Sequence, residues 1–168
     1  MIRISSLFFV FALFAMSCKK STDTAPHKNA FSASVNGSAF VPTGIEVLVS
    51  GSSIPGARAV NVYANEGNGH QLYLNMYDYD GTKTAFNLVD VNQSGNAFGS
   101  FGSYCSKNCG SFSAELSVSE TGGINITSFD KKTYNEGEVI TGTFQFETND
   151  STTKYSVTNG HFSLQVPN

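Results

Sequence analysis

From Ala30 onward, apolar and polar residues alternate with a period of two almost everywhere. That period sends successive side chains to opposite faces, so it predicts half-buried β-strands. Phe31, Ala33 and Val35 alternate with Ser32 and Ser34, and Asn36-Gly37 then marks a tight hairpin. Ala39-Phe40-Val41 returns, and Pro42 ends or edges that strand. Ile45 to Val49 is a further short strand, followed by a loop of Ser, Gly and Pro from Gly51 to Gly56. Ala59–Asn65 and Gln71–Asp78 predict a second hairpin around Glu66-Gly67-Asn68-Gly69-His70.

Asp80-Gly81 turns the chain into a strand over Lys83–Asp90, and Gln93 to Asn96 is another turn. In Ala97–Tyr104 the aromatics Phe98, Phe101 and Tyr104 stand three apart, which predicts a bulged or irregular strand. Ser111–Ser119 alternates cleanly, with Phe112, Ala114, Leu116 and Val118 on one face. Thr121-Gly122-Gly123 is expected to turn into a strand over Ile124–Phe129, and Asp130 to Gly137 to form a polar loop. Glu138–Glu147 and Lys154–Val166 close the chain, joined by a turn at Asn149 to Thr153. Within the last strand Asn159-Gly160 separates Val157 from Phe162 by an odd number of residues, which predicts a bulge. Ten or eleven short strands and no sustained helical period predict an all-β fold, mostly antiparallel: a β-sandwich or a partly open β-barrel.

The first thirty residues follow another pattern. Met1 to Ser6 carries one positive charge, Arg3, and Leu7 to Ala15 is an unbroken apolar run with four phenylalanines. The run falls short of the roughly 20 apolar residues that span a bilayer, and it ends in small residues, as a secretory signal does. Ala15 and Ser17 sit at positions −3 and −1 before Cys18, so the site reads as a lipoprotein cleavage site. The expectation is a signal peptide over 1–17 that is removed, and acyl chains, palmitate among them, on Cys18. Two or three such chains hold stably where one holds marginally, at about 0.8 kcal/mol per buried methylene. Residues 18–29 are polar and carry Lys19, Lys20 and Lys28, a tether without the apolar surface to fold. Residues 30–168 remain as a single domain, long enough for its own core.

Charged residues make up 14% of the chain, well under the roughly 25% of an average soluble protein. From Ala30 onward six Lys and Arg face twelve Asp and Glu, a net charge of −6 with no basic cluster. Nucleic-acid binding rests on phosphate neutralisation, so this charge balance argues against it. Cys105 and Cys109 are an even pair in an exported domain and predict a disulfide closing a five-residue loop. Free thiols are the alternative. A zinc site would need two more ligands, and His27, His70 and His161 are scattered, so no metal and no cofactor is expected.

The strand Gln71 to Tyr79 is rich in chemistry. Leu72, Leu74 and Met76 take one face, and Tyr73, Asn75, Tyr77 and Tyr79 the other. The preceding strand places Asn61, Tyr63 and Asn65 outward in the same way. Paired, the two strands would present tyrosines beside amides: flat apolar area plus hydrogen-bonding groups, as a carbohydrate- or peptide-binding face uses. Tyr63, Tyr73, Asn75, Tyr77 and Tyr79 are therefore the candidate ligand-binding residues, weighed against tyrosine's simple liking for strands. Asp78-Tyr79-Asp80-Gly81, with Asp90 and Asn92, offers oxygen atoms to calcium, but lacks a full calcium loop and reads better as an Asp-Gly turn. No nucleophile elbow and no spaced carboxylate pair marks a catalytic centre, so no enzyme is expected.

The chain also resembles a known group. Its cysteine site and tether, the opening Ser34-Val35-Asn36-Gly37, and three later blocks carry the likeness: Ile124-Asn125-Ile126-Thr127-Ser128-Phe129-Asp130, Ile140-Thr141-Gly142-Thr143-Phe144-Gln145-Phe146 and Val157-Thr158-Asn159-Gly160-His161-Phe162. Together they resemble the small lipoproteins of Bacteroidota, a group with no assigned catalytic residues. The resemblance implies an all-β fold and an outer-membrane lipoprotein. It leaves open the periplasmic face or the cell surface, since Lys19-Lys20 stands where surface-exported members carry acidic residues. It also implies O-glycosylation of Thr24, within Asp23-Thr24-Ala25. The functional expectation is a non-catalytic binding or interaction module for a glycan or another envelope component. A structural accessory subunit of an outer-membrane complex is the alternative, and a hydrolase the third reading.

Overall fold

The computed structural model describes residues 28–52, 54–88, 99–107, 109, 116–131, 137–148 and 153–167. Cys18, Thr24, most of the tether, Asp90, Asn92, the turn at Gln93 to Asn96 and residues 111–115 of the Ser111–Ser119 strand lie outside the described residues. Among the described residues ten strands follow in order: β1 (Ala30–Val35), β2 (Ser38–Phe40), β3 (Gly44–Gly51), β4 (Arg58–Asn65), β5 (Gln71–Tyr79), β6 (Ala85–Asn87), β7 (Phe101–Cys105), β8 (Leu116–Lys131), β9 (Glu138–Thr148) and β10 (Ser156–Val166). Every pairing is antiparallel.

Nine strands form one curled sheet in the order β2-β1-β10-β9-β8-β7-β5-β4-β3, and β6 adds to β8. Of the two architectures expected, this is the partly open barrel: a half-barrel whose edges are β2 and β3. The inner face holds the core. Val60, Val62, Leu72, Leu74, Ile124 and Leu164 are fully buried there. Each such side chain contributes roughly 1.5–3 kcal/mol relative to exposure.

The two short turns form as their residues dictate. Asn36 (φ 49°) and Gly37 (φ 80°) are both left-handed, as the β1–β2 hairpin needs. Asn159 (φ 51°) produces the bulge in β10, where the register against β9 shifts between Val157 and Gly160. Thr121-Gly122-Gly123, by contrast, does not turn. β8 runs straight through it for sixteen residues, pairing with β7 at one end and with β9 and β6 along the rest. Register shifts beside Ser119 and Ile126 bend this strand without ending it, which lets one strand serve both halves of the curl.

Glycines in β9 and β10 are seats for phenylalanines. Gly142 pairs with Phe162, and Gly160 with Phe144. A Cβ on Gly142 would lie 2.5 Å from the Phe162 ring, and one on Gly160 would lie 2.6 Å from the Phe144 ring. Each ring therefore occupies the space over its partner glycine. This accounts for Thr141-Gly142-Thr143-Phe144 and Asn159-Gly160-His161-Phe162 as packing motifs.

Candidate functional site

The outer face of β4, β5 and β7 carries the tyrosines. Tyr63 and Tyr73 are directly paired, as are Asn61 and Asn75, Tyr73 and Ser103, and Asn75 and Phe101. The Tyr73 ring lies 4.6 Å from Tyr63 and 5.2 Å from Phe101, centre to centre. All three rings are half-buried, so they form a row across three strands with one side open to solvent. Beneath it, Tyr73 donates from its hydroxyl to Asn61 Oδ1 at 2.5 Å, and Asn75 Nδ2 donates to the same oxygen at 2.9 Å. Burial, and then the neighbouring Tyr63, push the Tyr73 phenol up to about 12. Gln71 Nε2 donates to Asn65 Oδ1 at 2.7 Å, at the end of the same face.

The five candidate residues are not one surface. Tyr63 and Tyr73 are brought together. Asn75 is 7% exposed and serves as support, its Oδ1 buried without a hydrogen-bond partner among the described residues. Tyr77 is half-buried and lines a separate depression with Asp78, Lys83, Phe86 and Ser100. Tyr79 is fully buried. The alternation predicted it outward, and Asp78 is the reason for the correction. Asp78 adopts φ 59°, and the register against β4 slips between Arg58 and Val60. One extra residue in β5 turns Tyr79 back into the core. Ser52 donates to the Asp78 carboxylate from its hydroxyl. Asp80 closes the following turn, its Oδ1 accepting from Thr82 N, Thr82 Oγ1 and Lys83 N. These bonds, led by that from the Thr82 amide, hold the Asp80 carboxyl below its usual range. This is the Asp-Gly turn reading of the stretch.

Two features were not read from the sequence. The first is Phe101, which completes the aromatic row; its signal was the broken spacing of Phe98, Phe101 and Tyr104. The second is a cleft of about 360 Å³ between the β1–β2 hairpin and the β4–β5 loop, lined in part by Phe40, Glu66, Asn68, His70, Tyr104 and Tyr155. The Tyr104 hydroxyl lies 3.1 Å from His70 Nδ1, and Glu66 Oε2 lies 3.4 Å from the same nitrogen. Glu66 Oε1 accepts the Val41 amide at 2.9 Å, and Asn68 Nδ2 donates to Glu66 Oε2 at 2.9 Å. Burial, then the Glu66 charge and Tyr155, push the Tyr104 phenol up. Glu66 therefore works chiefly as a latch, tying the end of β2 to the loop that carries His70. Cys105 and Cys109 are joined by a disulfide, Cα to Cα 5.8 Å, at the end of β7.

No protein-family model, no curated protein and no solved structure matches this chain.

Proposed function

We propose that this chain is a lipid-anchored, non-catalytic binding module of a bacterial envelope, and that it takes a glycan on the outer face of β4, β5 and β7. The observation that carries the reading is the row Tyr63–Tyr73–Phe101. Rings half-open to solvent offer flat apolar area to the C–H face of a sugar. The amides of Asn65 and Gln71 stand at the end of the same face and add hydrogen-bonding groups. The Tyr73 hydroxyl is already held by Asn61, so little side-chain freedom is lost on binding.

The test is calorimetric titration of the full chain with soluble envelope polysaccharides, alongside the Tyr63→Ala, Tyr73→Ala double variant. Binding by the wild type and a loss of at least about tenfold in the variant are expected. Unchanged binding by a folded double variant, or no polysaccharide bound by the wild type, would refute the reading.

The anchor rests on the sequence around Cys18. Cys18→Ser is expected to move the protein from the detergent phase to the aqueous phase when membranes are partitioned. Intact mass of the native protein then decides Thr24: absence of a sugar mass on its peptide ends the glycosylation proposal.

A further inference from the structure

The cleft beside the β1–β2 hairpin stands apart from the aromatic row. It lies at one end of the curl, where β1 ends at Val35, and where His70 and Tyr155 lead into β5 and β10. Tyr104 pairs with Leu72 and packs into the inner core, so the cleft does not share the outer face. Its volume of about 360 Å³ is that of a small-molecule site.

Glu66 supplies the charge in this cleft, with its side chain 15% exposed. A carboxylate so withdrawn from water is normally paired with a cation. Its hydrogen-bond partners here, the Val41 amide and the Asn68 side chain, are both neutral. Among the described residues no lysine or arginine pairs with it, and none lines the cleft. His70 stands 3.4 Å away and is cationic only when protonated. The hydrogen bonds thus hold in place a negative charge that no fixed cation among the described residues offsets.

Aromatic rings stand around it. The Tyr104 ring lies 4.6 Å from Tyr155 and 5.9 Å from His70, centre to centre, at interplanar angles of 61° and 71°. Rings set so steeply to one another bound a corner and do not form a flat stack. Tyr104 is buried and backs the corner, while His70 and Tyr155 are half-buried. The Tyr104 hydroxyl lies 3.1 Å from the same His70 nitrogen that Glu66 approaches, so phenol oxygen and carboxylate converge. Electron-rich ring faces attract a cation within about 6 Å of their centres. A hard metal ion would need more oxygen ligands than one carboxylate and one phenol provide, and Glu66 would repel an anion.

We infer that this cleft binds a small organic cation, its alkylammonium group set between the Glu66 carboxylate and the corner of Tyr104 and Tyr155. The net charge of −6 from Ala30 onward favours the approach of such a solute. The site does not depend on what the Tyr63–Tyr73–Phe101 row binds.

The experiment is an NMR titration of the full chain with choline, in non-ionic detergent at pH 8, following the ring protons of His70, Tyr104 and Tyr155. Saturable shifts are expected. The neutral alcohol in which carbon replaces the choline nitrogen has the same shape without the charge. It is expected to bind at least about tenfold more weakly. Phosphocholine separates a lipid headgroup from a free solute. Its phosphate would stand near Glu66, so binding at least about threefold weaker than choline is expected and assigns the site to a free cation. Equal affinity for phosphocholine would assign the same cation site to a headgroup. Glu66→Gln keeps an oxygen for the Val41 amide and removes the charge, and is expected to lose at least about tenfold in affinity. Tyr155→Leu keeps apolar bulk without a ring and is expected to lose at least about threefold. The absence of a saturable shift with choline overturns the inference. Equal binding of choline and the neutral alcohol overturns it as well, a comparison made on the wild type alone and so independent of whether the variants fold. So does choline binding that folded Glu66→Gln and Tyr155→Leu both leave unchanged, because the site would then lie elsewhere.

Discussion

Tyr79 and Glu138, 59 residues apart, meet inside the half-barrel, the phenol donating to Glu138 Oε2 at 2.6 Å. Arg58 stacks 5.6 Å above the Tyr79 ring, lies 3.9 Å from the same carboxylate oxygen, and donates to the Pro167 carbonyl at 2.9 Å. The contact thus joins β4, β5, β9 and the end of the chain. Glu138 Oε1 is buried without a hydrogen-bond partner among the described residues. Tyr79→Phe removes the phenol donor from a buried carboxylate and is expected to cost about 1–3 kcal/mol in urea unfolding. With Glu138→Met also present the two costs should fall short of additive by about 0.5 kcal/mol or more. Strict additivity would show that the pair does not act as a unit.

Tyr73 contributes to the alkaline limit of the fold, beside the more strongly raised Tyr79. Its folded phenol is raised from 10.0 to about 12, by burial first and by Tyr63 next. A raised pKa means that the unfolded chain releases this proton before the folded one does. The contribution is therefore complete below pH 10 and is lost as pH rises from 10 towards 12. Denaturant midpoints measured across that range should fall for the wild type. Tyr73→Phe should flatten part of that fall, and an identical slope in the variant would rule the assignment out.

Gly142 and Gly160 should resist substitution because rings and carbonyls fill the space above them. A Cβ at Gly142 would sit 2.4 Å from the Asn125 carbonyl oxygen, and one at Gly160 2.4 Å from that of Phe144. Alanine at either position is expected to cost about 1–3 kcal/mol by overpacking. Gly44→Ala is the control, since its Cβ would meet nothing within 4 Å. It should stay within about 0.5 kcal/mol of the wild type. Equal effects at all three glycines would show that strand propensity, and not crowding, decides.

The disulfide should matter little to global stability. Cys105 and Cys109 close a loop with a sequence separation of four, so the entropy removed from the unfolded chain is worth about 2 kcal/mol at most. Thermal melts with and without a phosphine reductant should show a modest drop and a retained cooperative transition. Outright unfolding on reduction would mean that the bridge holds more than its own loop.

Much of the architecture was legible because strand faces and tight turns are local properties. Alternation located strand regions all along the chain from Phe31 to Val166. Asn36-Gly37 and Asn159-Gly160 announced a hairpin and a bulge, because positive φ is a demand that few residue types meet. Thr121-Gly122-Gly123 misled for the same reason. Two glycines permit a turn, but β9 on one side and β6 on the other hold that stretch extended, and pairing outweighed local freedom. Tyr79 misled because a strict period of two assumes a strand without a bulge, and the left-handed Asp78 is not a residue whose neighbours announce it.

The sequence by itself determined the strand faces up to the bulge at Asp78, most of the core and the tyrosine-rich character of β5, and it predicted the bridge between Cys105 and Cys109. Those depend on residue type and on neighbours a few positions away. Only the tertiary structure decided that the sheet curls into one half-barrel, that Phe101 completes the row of Tyr63 and Tyr73, and that Glu66, His70, Tyr104 and Tyr155 share a cleft. Each of these depends on which strand lies beside which, and that choice belongs to pairing energies summed over the whole sheet, from residues far apart in the chain.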